Sequence, residues 1–216
     1  MFKIVCMLSG RGSNFKAILD NIRNGMLKAQ IVCVVSDKQC LGLEIAKQNN
    51  IEAIFLDPKG LTRKEYAKRL IKTIEPYKPD LIVLAGFMRI LDDSFTDAFE
   101  GKIVNIHPSL LPLFKGLNPQ KQALEAGVKI SGATVHFVTS ELDSGPIIIQ
   151  AAVGVHKGDT PESLADRILK VEHKIYSMAI KLIIESKVSF TKTDSGYKVK
   201  FEDTVETEDF IINPLI

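Results

Sequence analysis

The sequence predicts an α/β fold with a mostly parallel central sheet, helices on both faces, and a mixed or antiparallel C-terminal part. Three observations predict it. Short aliphatic runs alternate with helix-period segments through the first hundred residues, which is the rhythm of strand–helix–strand crossovers. The run Leu81-Ile82-Val83-Leu84 is almost purely aliphatic, as parallel strands buried on both faces are. Beyond about residue 100 the rhythm changes, and two apolar segments flank a single Gly-Pro turn.

Taken in order, Ile4 to Leu8 reads as a buried strand, followed by the Gly-rich turn Ser9-Gly10-Arg11-Gly12-Ser13-Asn14. Phe15 to Ile22 has helical spacing and stops near Gly25. Ile31 to Val35 is a second strand, Leu41 to Gln48 a second helix, and Ala53 to Leu56 a third, short strand. Thr62 is placed to cap a helix that carries Tyr66, Leu70 and Ile74 on one stripe and ends before Pro76. Leu81 to Leu84 is the fourth strand, and Ile103-Val104 leads into a fifth. Gln120 to Ala126 reads as a helix ended by Gly127. Ala133 to Val138 and Ile147 to Val155 are strands. Asp159-Thr160-Pro161-Glu162 starts the longest helix, with Pro just inside the cap, running to about Ser186. Val188 to Phe190 and Tyr197 to Phe201 flank Asp194-Ser195-Gly196 and suggest a terminal hairpin. The arrangement is Rossmann-like. One domain over residues 1–190 is the economical reading, with halves at 1–100 and 101–190 and a hairpin or tail over 191–216.

Composition bounds the function. The chain has 216 residues, 45% hydrophobic and 25% charged, enough to bury a sizeable core. A net charge of +2 does not favour nucleic acid as a partner. Cys6 and Cys33 fall in apolar strand-like runs and, with Cys40, form no C-x-x-C pair, so they read as free thiols in a reducing compartment. No signal peptide or membrane-length apolar run is visible, and a soluble cytoplasmic protein is expected.

Four stretches carry chemistry. In Asn105-Ile106-His107-Pro108-Ser109-Leu110-Leu111-Pro112, Asn105 and His107 are spaced to share one face of extended backbone. Pro108 denies the strand its next ladder donor. A capped strand end with a hydrogen-bonded histidine is the bland alternative. Gly10 to Asn14 lies between a strand and a helix, where free amides suit a single phosphate; a tight capped turn is the alternative. Phe15 stands where the dinucleotide fingerprint needs its third glycine, and no Gly-Lys-Ser/Thr follows. Leu84 to Leu91 follows a buried strand, at the sheet edge where open α/β sheets bind ligands, and could line a flat aromatic molecule. Finally, His136 reads as a structural histidine in its strand, and Asp143 as a turn former unless it meets His107, where a carboxylate would favour the charged ring and orient it. His107, His136 and Asp143 lack the close ligand spacing of a zinc site, and no G-x-S-x-G elbow supports a Ser-His-Asp hydrolase.

These stretches together resemble the phosphoribosylglycinamide formyltransferases of the formyltetrahydrofolate-dependent formyltransferase family, over residue 1 to about residue 190. The resemblance implies that family's fold, with the ribonucleotide phosphate in the N-terminal half and folate and catalysis in the C-terminal half. It implies a reaction moving the formyl group of 10-formyltetrahydrofolate to the amine of N1-(5-phospho-D-ribosyl)glycinamide, giving formylglycinamide ribonucleotide and tetrahydrofolate in de novo purine (IMP) biosynthesis. It implies Asn105, His107 and Asp143 as the catalytic set. It assigns Gly12, Ser13, Asn14 and Glu172 to the ribonucleotide, and Arg63, Met88, Arg89, Ile90, Leu91, Asn105 and Leu142 to the folate. No metal, nucleic acid or membrane is expected, and the chain is expected to be a monomer or weak homodimer. Gly116-Leu117-Asn118-Pro119-Gln120 replaces a histidine-containing loop of some relatives, so no catalytic role is carried onto it.

Two other readings compete. A hydrolase on the same framework would pass the formyl group to water. A non-catalytic nucleotide-binding module would make the conjunction of Asn105, His107 and Asp143 a coincidence. Relatives that hydrolyse the donor usually carry a further regulatory domain, and those that formylate initiator tRNA a C-terminal barrel; neither is expected in this length.

Overall fold

The structure is a computed structural model that describes residues 1–194 and 196–202. Its contacts divide the chain into two compact units. The first is Met1–Asn105 with Val138–Ser140, and the second is Ile106–Phe137 with the chain from Glu141 onward.

The first unit is built from β1 (Phe2–Leu8), α1 (Ser13–Arg23), β2 (Ala29–Ser36), α2 (Leu41–Gln48), β3 (Glu52–Phe55), α3 (Arg63–Ile74), β4 (Leu81–Leu84), α4 (Asp93–Ala98) and the start of β5 (Ile103–His107). All its strand pairs are parallel, in the order β3-β2-β1-β4-β5. Side chains alternate across this sheet. Val5, Met7, Cys33, Val35, Ile82 and Leu84 face one way, into a core completed by Tyr66, Leu70 and Ile74 of α3 and by Phe95 and Phe99 at α4. Ile4, Cys6, Leu8 and Val34 alternate to the other face, where Leu8 meets α1 and α2 at Gly12 and Gly42. The expected helices on both faces are therefore present.

Helix starts follow local chemistry. Thr62 caps α3 with a full capping box: its hydroxyl accepts from the Glu65 amide, and Glu65 reaches back to the Thr62 amide. Pro76 ends the regular helix in a single tight turn over Glu75–Tyr77. α4 is not among the helices the sequence predicts. That helix has only six residues and depends on the cap at Asp92, which accepts from the Ser94 amide and hydroxyl.

The second unit continues β5 to His107 and adds α5 (Pro119–Glu125), β6 (Ile130–Phe137), β7 (Ile147–Gly154), α6 (Pro161–Ile184) and the hairpin β8 (Val188–Thr193) and β9 (Gly196–Phe201). β6 and β7 pair antiparallel, as the change of rhythm predicted. α6 packs on both through Leu164, Ile168, Ile175 and Ala179. Thr160 caps it, and Arg167 closes its first turns by a two-pronged pair with Asp159 at 2.8 Å. β8 and β9 form the expected hairpin, with Phe190 set edge-on to Phe137. Ser195 in its tip, and the tail after Glu202, lie outside the described residues. Among the described residues no helix is long and apolar enough to cross a membrane.

Gly132 fixes how closely β6 and β7 approach. A Cβ there would run into the Ala151 carbonyl, and into Leu110 at 2.8 Å. Gly132→Ala is expected to lower stability by about 1–3 kcal/mol, the usual cost of overpacking a tight core. Urea denaturation checks this, and an unchanged midpoint would show that the strands can part at no cost.

Candidate active site

The turn after β5 is anchored before it becomes chemical. Ser109 donates from its hydroxyl to the Leu113 carbonyl at 2.6 Å. The buried Thr134 hydroxyl donates to the Ser109 carbonyl at 2.7 Å and accepts from the Leu111 amide at 3.0 Å. Gln150 of β7 donates to the Leu111 carbonyl and to the same Thr134 oxygen. These bonds hold residues 109–113 against β6 and β7 and so fix the end of β5. Neither Thr134 nor Gln150 was a candidate in the sequence, because their partners are backbone groups far away in the chain.

His107 is the last residue of β5 and is 5% exposed. Its Nε2 lies 2.9 Å from the Phe114 carbonyl, which can only accept, so Nε2 carries a proton. Its Nδ1 faces Asp143 Oδ2 at 3.4 Å. Both ring nitrogens thus face acceptors, and only a doubly protonated ring can donate to both. Asp143 also accepts from the Gly116 amide at 2.9 Å, and Lys115 donates to the Ser144 hydroxyl at 2.6 Å. The two loops, 114–116 and 142–144, are therefore tied together around the histidine. Asp143 itself has φ +48, a left-handed conformation that Asp tolerates better than most side chains.

The structure brings a third group to this carboxylate. His136, 2% exposed, has its Nδ1 2.8 Å from the Phe137 carbonyl, so that nitrogen donates. Its other nitrogen faces Asp143 Oδ1 at 3.9 Å. Burial pushes the His136 ring below its ordinary range; the Phe137 carbonyl and then Asp143 oppose that shift. A histidine lowered on folding binds fewer protons folded than unfolded. Its contribution to stability is whole above about 6.5 and is lost as pH falls toward the folded value. The fall in unfolding free energy between pH 7 and pH 5 is expected to be smaller in His136→Gln than in the parent. Equal slopes would show that the ring takes up protons alike in the folded and unfolded states.

Asn105 shares a β5 face with His107 by the strand's alternation and belongs to the first unit. Leu142, next to Asp143, is 47% exposed. Glu172 is buried on α6 of the second unit.

In the first unit, Gly12 has φ +73 and precedes α1, whose first turn begins at Ser13 and includes the buried Asn14. Its backbone lies so near α2 that a Cβ would sit 2.9 Å from the Gly42 Cα. Only glycine fits both constraints. The loop presents the first amides of an eleven-residue helix, the ordinary construction for holding an anion. Ser9 joins this loop to the next stretch: its amide donates to the Gly86 carbonyl, and its hydroxyl accepts from the Met88 amide at 2.8 Å. Met88 and Ile90 are 65% and 55% exposed. Arg63, Arg89, Ile90 and Leu91 line a small groove floored by Leu70 and Phe87. Arg63 lies 3.8 Å from the Asp92 carboxylate.

The chain matches the sequence profile of the formyl transferase family over residues 2–180. It is 42% identical over 187 residues to the phosphoribosylglycinamide formyltransferase of Escherichia coli, covering 86% of this chain and 88% of that one. It is 43% identical over 188 residues to the trifunctional purine biosynthetic protein adenosine-3 of Gallus gallus, of whose length the match spans 19%. The crystal structure of glycinamide ribonucleotide transformylase 1 from Symbiobacterium toebii superposes with a TM-score of 0.88 at 43% identity, over 94% of this chain and 95% of that one.

Proposed function

The chain belongs to the formyl transferase family, alongside its phosphoribosylglycinamide formyltransferases, and we propose that it moves the formyl group of 10-formyltetrahydrofolate to the amine of N1-(5-phospho-D-ribosyl)glycinamide. The products are formylglycinamide ribonucleotide and tetrahydrofolate. One observation carries the reading at the level of residues. A buried histidine at a strand end has one nitrogen against Asp143 and a protonated nitrogen aimed at an oxygen acceptor.

In this reading the substrate amine attacks the formyl carbon, and the formyl oxygen gains negative charge. His107 and the Asn105 amide donate hydrogen bonds to that oxygen, and its place in the His107 geometry is the one the Phe114 carbonyl takes now. Asp143 faces Nδ1 and orients the ring. The proton lost by the amine passes to the folate nitrogen that leaves, by way of these groups or water. Gly12, Ser13 and Asn14 hold the phosphate, and Glu172 helps bind the ribonucleotide. Arg63, Met88, Arg89, Ile90, Leu91, Asn105 and Leu142 hold the folate. Fixing both substrates accounts for much of the remaining acceleration. The buried free thiols Cys6 and Cys33 suit a reducing cytoplasm.

The test is folate release from 10-formyltetrahydrofolate with and without glycinamide ribonucleotide. Release only with the acceptor is expected. Release without it would overturn transfer in favour of hydrolysis, and no release at all would leave a binding module.

The phosphate loop has its own test. Substituting Gly12 would strain the backbone and clash with Gly42, so Ser13 is the better probe. Ser13→Asp places a negative charge in the first turn of α1, which suits the helix dipole but repels phosphate. The melting temperature is expected to hold or rise, and KM for the ribonucleotide to rise at least about tenfold, with folate KM unchanged. A ribonucleotide KM that stays constant would place the phosphate elsewhere.

A further inference from the structure

Arg89 is held in an unusual way for a cation. Its guanidinium carbon lies 5.4 Å from the centre of the Tyr66 ring. Among the described residues it makes no ion pair, whereas Arg63 across the groove lies beside Asp92. The Tyr66 ring is itself fixed. It is 4% exposed within the core of the first unit, and its hydroxyl donates to the Leu56 carbonyl at 3.1 Å. Burial first, and then the Asp37 carboxylate, push the phenol up to about 12, against the opposing Arg89 charge. It therefore stays a neutral donor, and the ring keeps its place, across any ordinary assay pH.

The difference between the two arginines matters for an anionic ligand. A carboxylate partner holds a guanidinium by occupying its donors and cancelling its charge. An aromatic face holds it through the ring quadrupole and leaves the N–H fork and the charge for something else. We propose that Tyr66 is a positioning residue that sets the preference for the folate donor's glutamate tail, by holding the Arg89 guanidinium over its ring ready for the tail carboxylates. This rests on the reading of Arg63 and Arg89 as folate-binding. The groove suits such a ligand: Leu70, Phe87 and Leu91 offer apolar surface beside the two cations.

The test compares 10-formyltetrahydrofolate carrying one glutamate with the same donor carrying three. Donor KM, ribonucleotide KM and kcat are measured in the parent, in Arg89→Ala, and in a series at position 66. That series starts from Tyr66→Phe and continues with singly, doubly and triply fluorinated phenylalanine. Fluorination drains the ring face of negative charge with little change of shape, so folding is preserved where Tyr66→Leu could lose it. The expected result is a graded rise in triglutamate KM, about two- to fivefold across the series. Monoglutamate KM should move less, and kcat and ribonucleotide KM should stay constant. Combined with Arg89→Ala, the series should go flat. If Arg89→Ala leaves the tail preference intact, the folate reading of Arg89 fails and the proposal with it. If Arg89→Ala removes the preference but fluorination leaves it unchanged, the reading of Arg89 stands and the role of Tyr66 is overturned. A fall in kcat shared by both donors would make Tyr66 merely structural.

Discussion

His107→Ala is expected to slow formyl transfer within a single turnover by about 100- to 1000-fold, the typical loss when one preorganised donor to an oxyanion is removed. Affinity for either substrate should change little, because the ring is proposed to meet charge that exists only in the transition state. The variant is expected to fold. The turn behind His107 is pinned by Thr134 and Gln150 through backbone groups, independently of the imidazole. Rapid-quench measurement at saturating substrates separates this step from product release, and circular dichroism checks the fold. A loss below about tenfold would mean that Asn105 or the positioning of the substrates supplies most of the stabilisation. A large rise in KM at constant rate would make His107 a binding residue instead.

What the sequence revealed about this region followed the kind of group involved. Asn105 and His107 were legible as a pair because strand periodicity and Pro108 are local signals, and β5 indeed ends at His107. Leu81 to Leu84 was legible to the residue because a strand buried on both faces admits almost nothing but aliphatic side chains. Thr62 and Thr160 announced their helices because capping needs particular side chains at fixed spacing. By contrast, the groups that complete the surroundings of His107 are the Phe114 carbonyl and the Gly116 amide. Every residue type offers a carbonyl, and nearly every one an amide, so no pattern marks them. The partnership of Asp143 with His107 could be expected only through resemblance to a family, since nothing local to Asp143 separates a catalytic carboxylate from a turn former. From sequence His136 reads as structural. The structure agrees that it is buried and bonded, and adds that its other nitrogen looks toward the Asp143 carboxylate.

Asp143→Asn is expected to slow the same single-turnover step by about 100-fold, and the loss should be strongly non-additive with that of His107→Ala. The substitution isolates charge from shape. Asp143 has φ +48, a conformation in which Asn is among the best-tolerated residues, so the backbone of the loop should persist. The new amide oxygen can still accept from the Gly116 amide, so the tie between the two loops survives. What disappears is the negative charge facing His107 Nδ1, because the oxygen that accepts from Gly116 is the one that faces the ring and stays in place. Once His107 is absent, that charge has little left to act on, and Asp143→Asn in the His107→Ala background should cost only a few-fold. Residues that work as a unit behave this way, whereas independent residues more than a contact apart add in log rate. The cycle requires four proteins, one rate constant for each, and a melting temperature for each. Simple addition of the two losses would break the coupling and return Asp143 to the role of a turn former. Equal melting temperatures, with the two single variants as slow as the double, would establish that Asp143 contributes to the reaction only through His107.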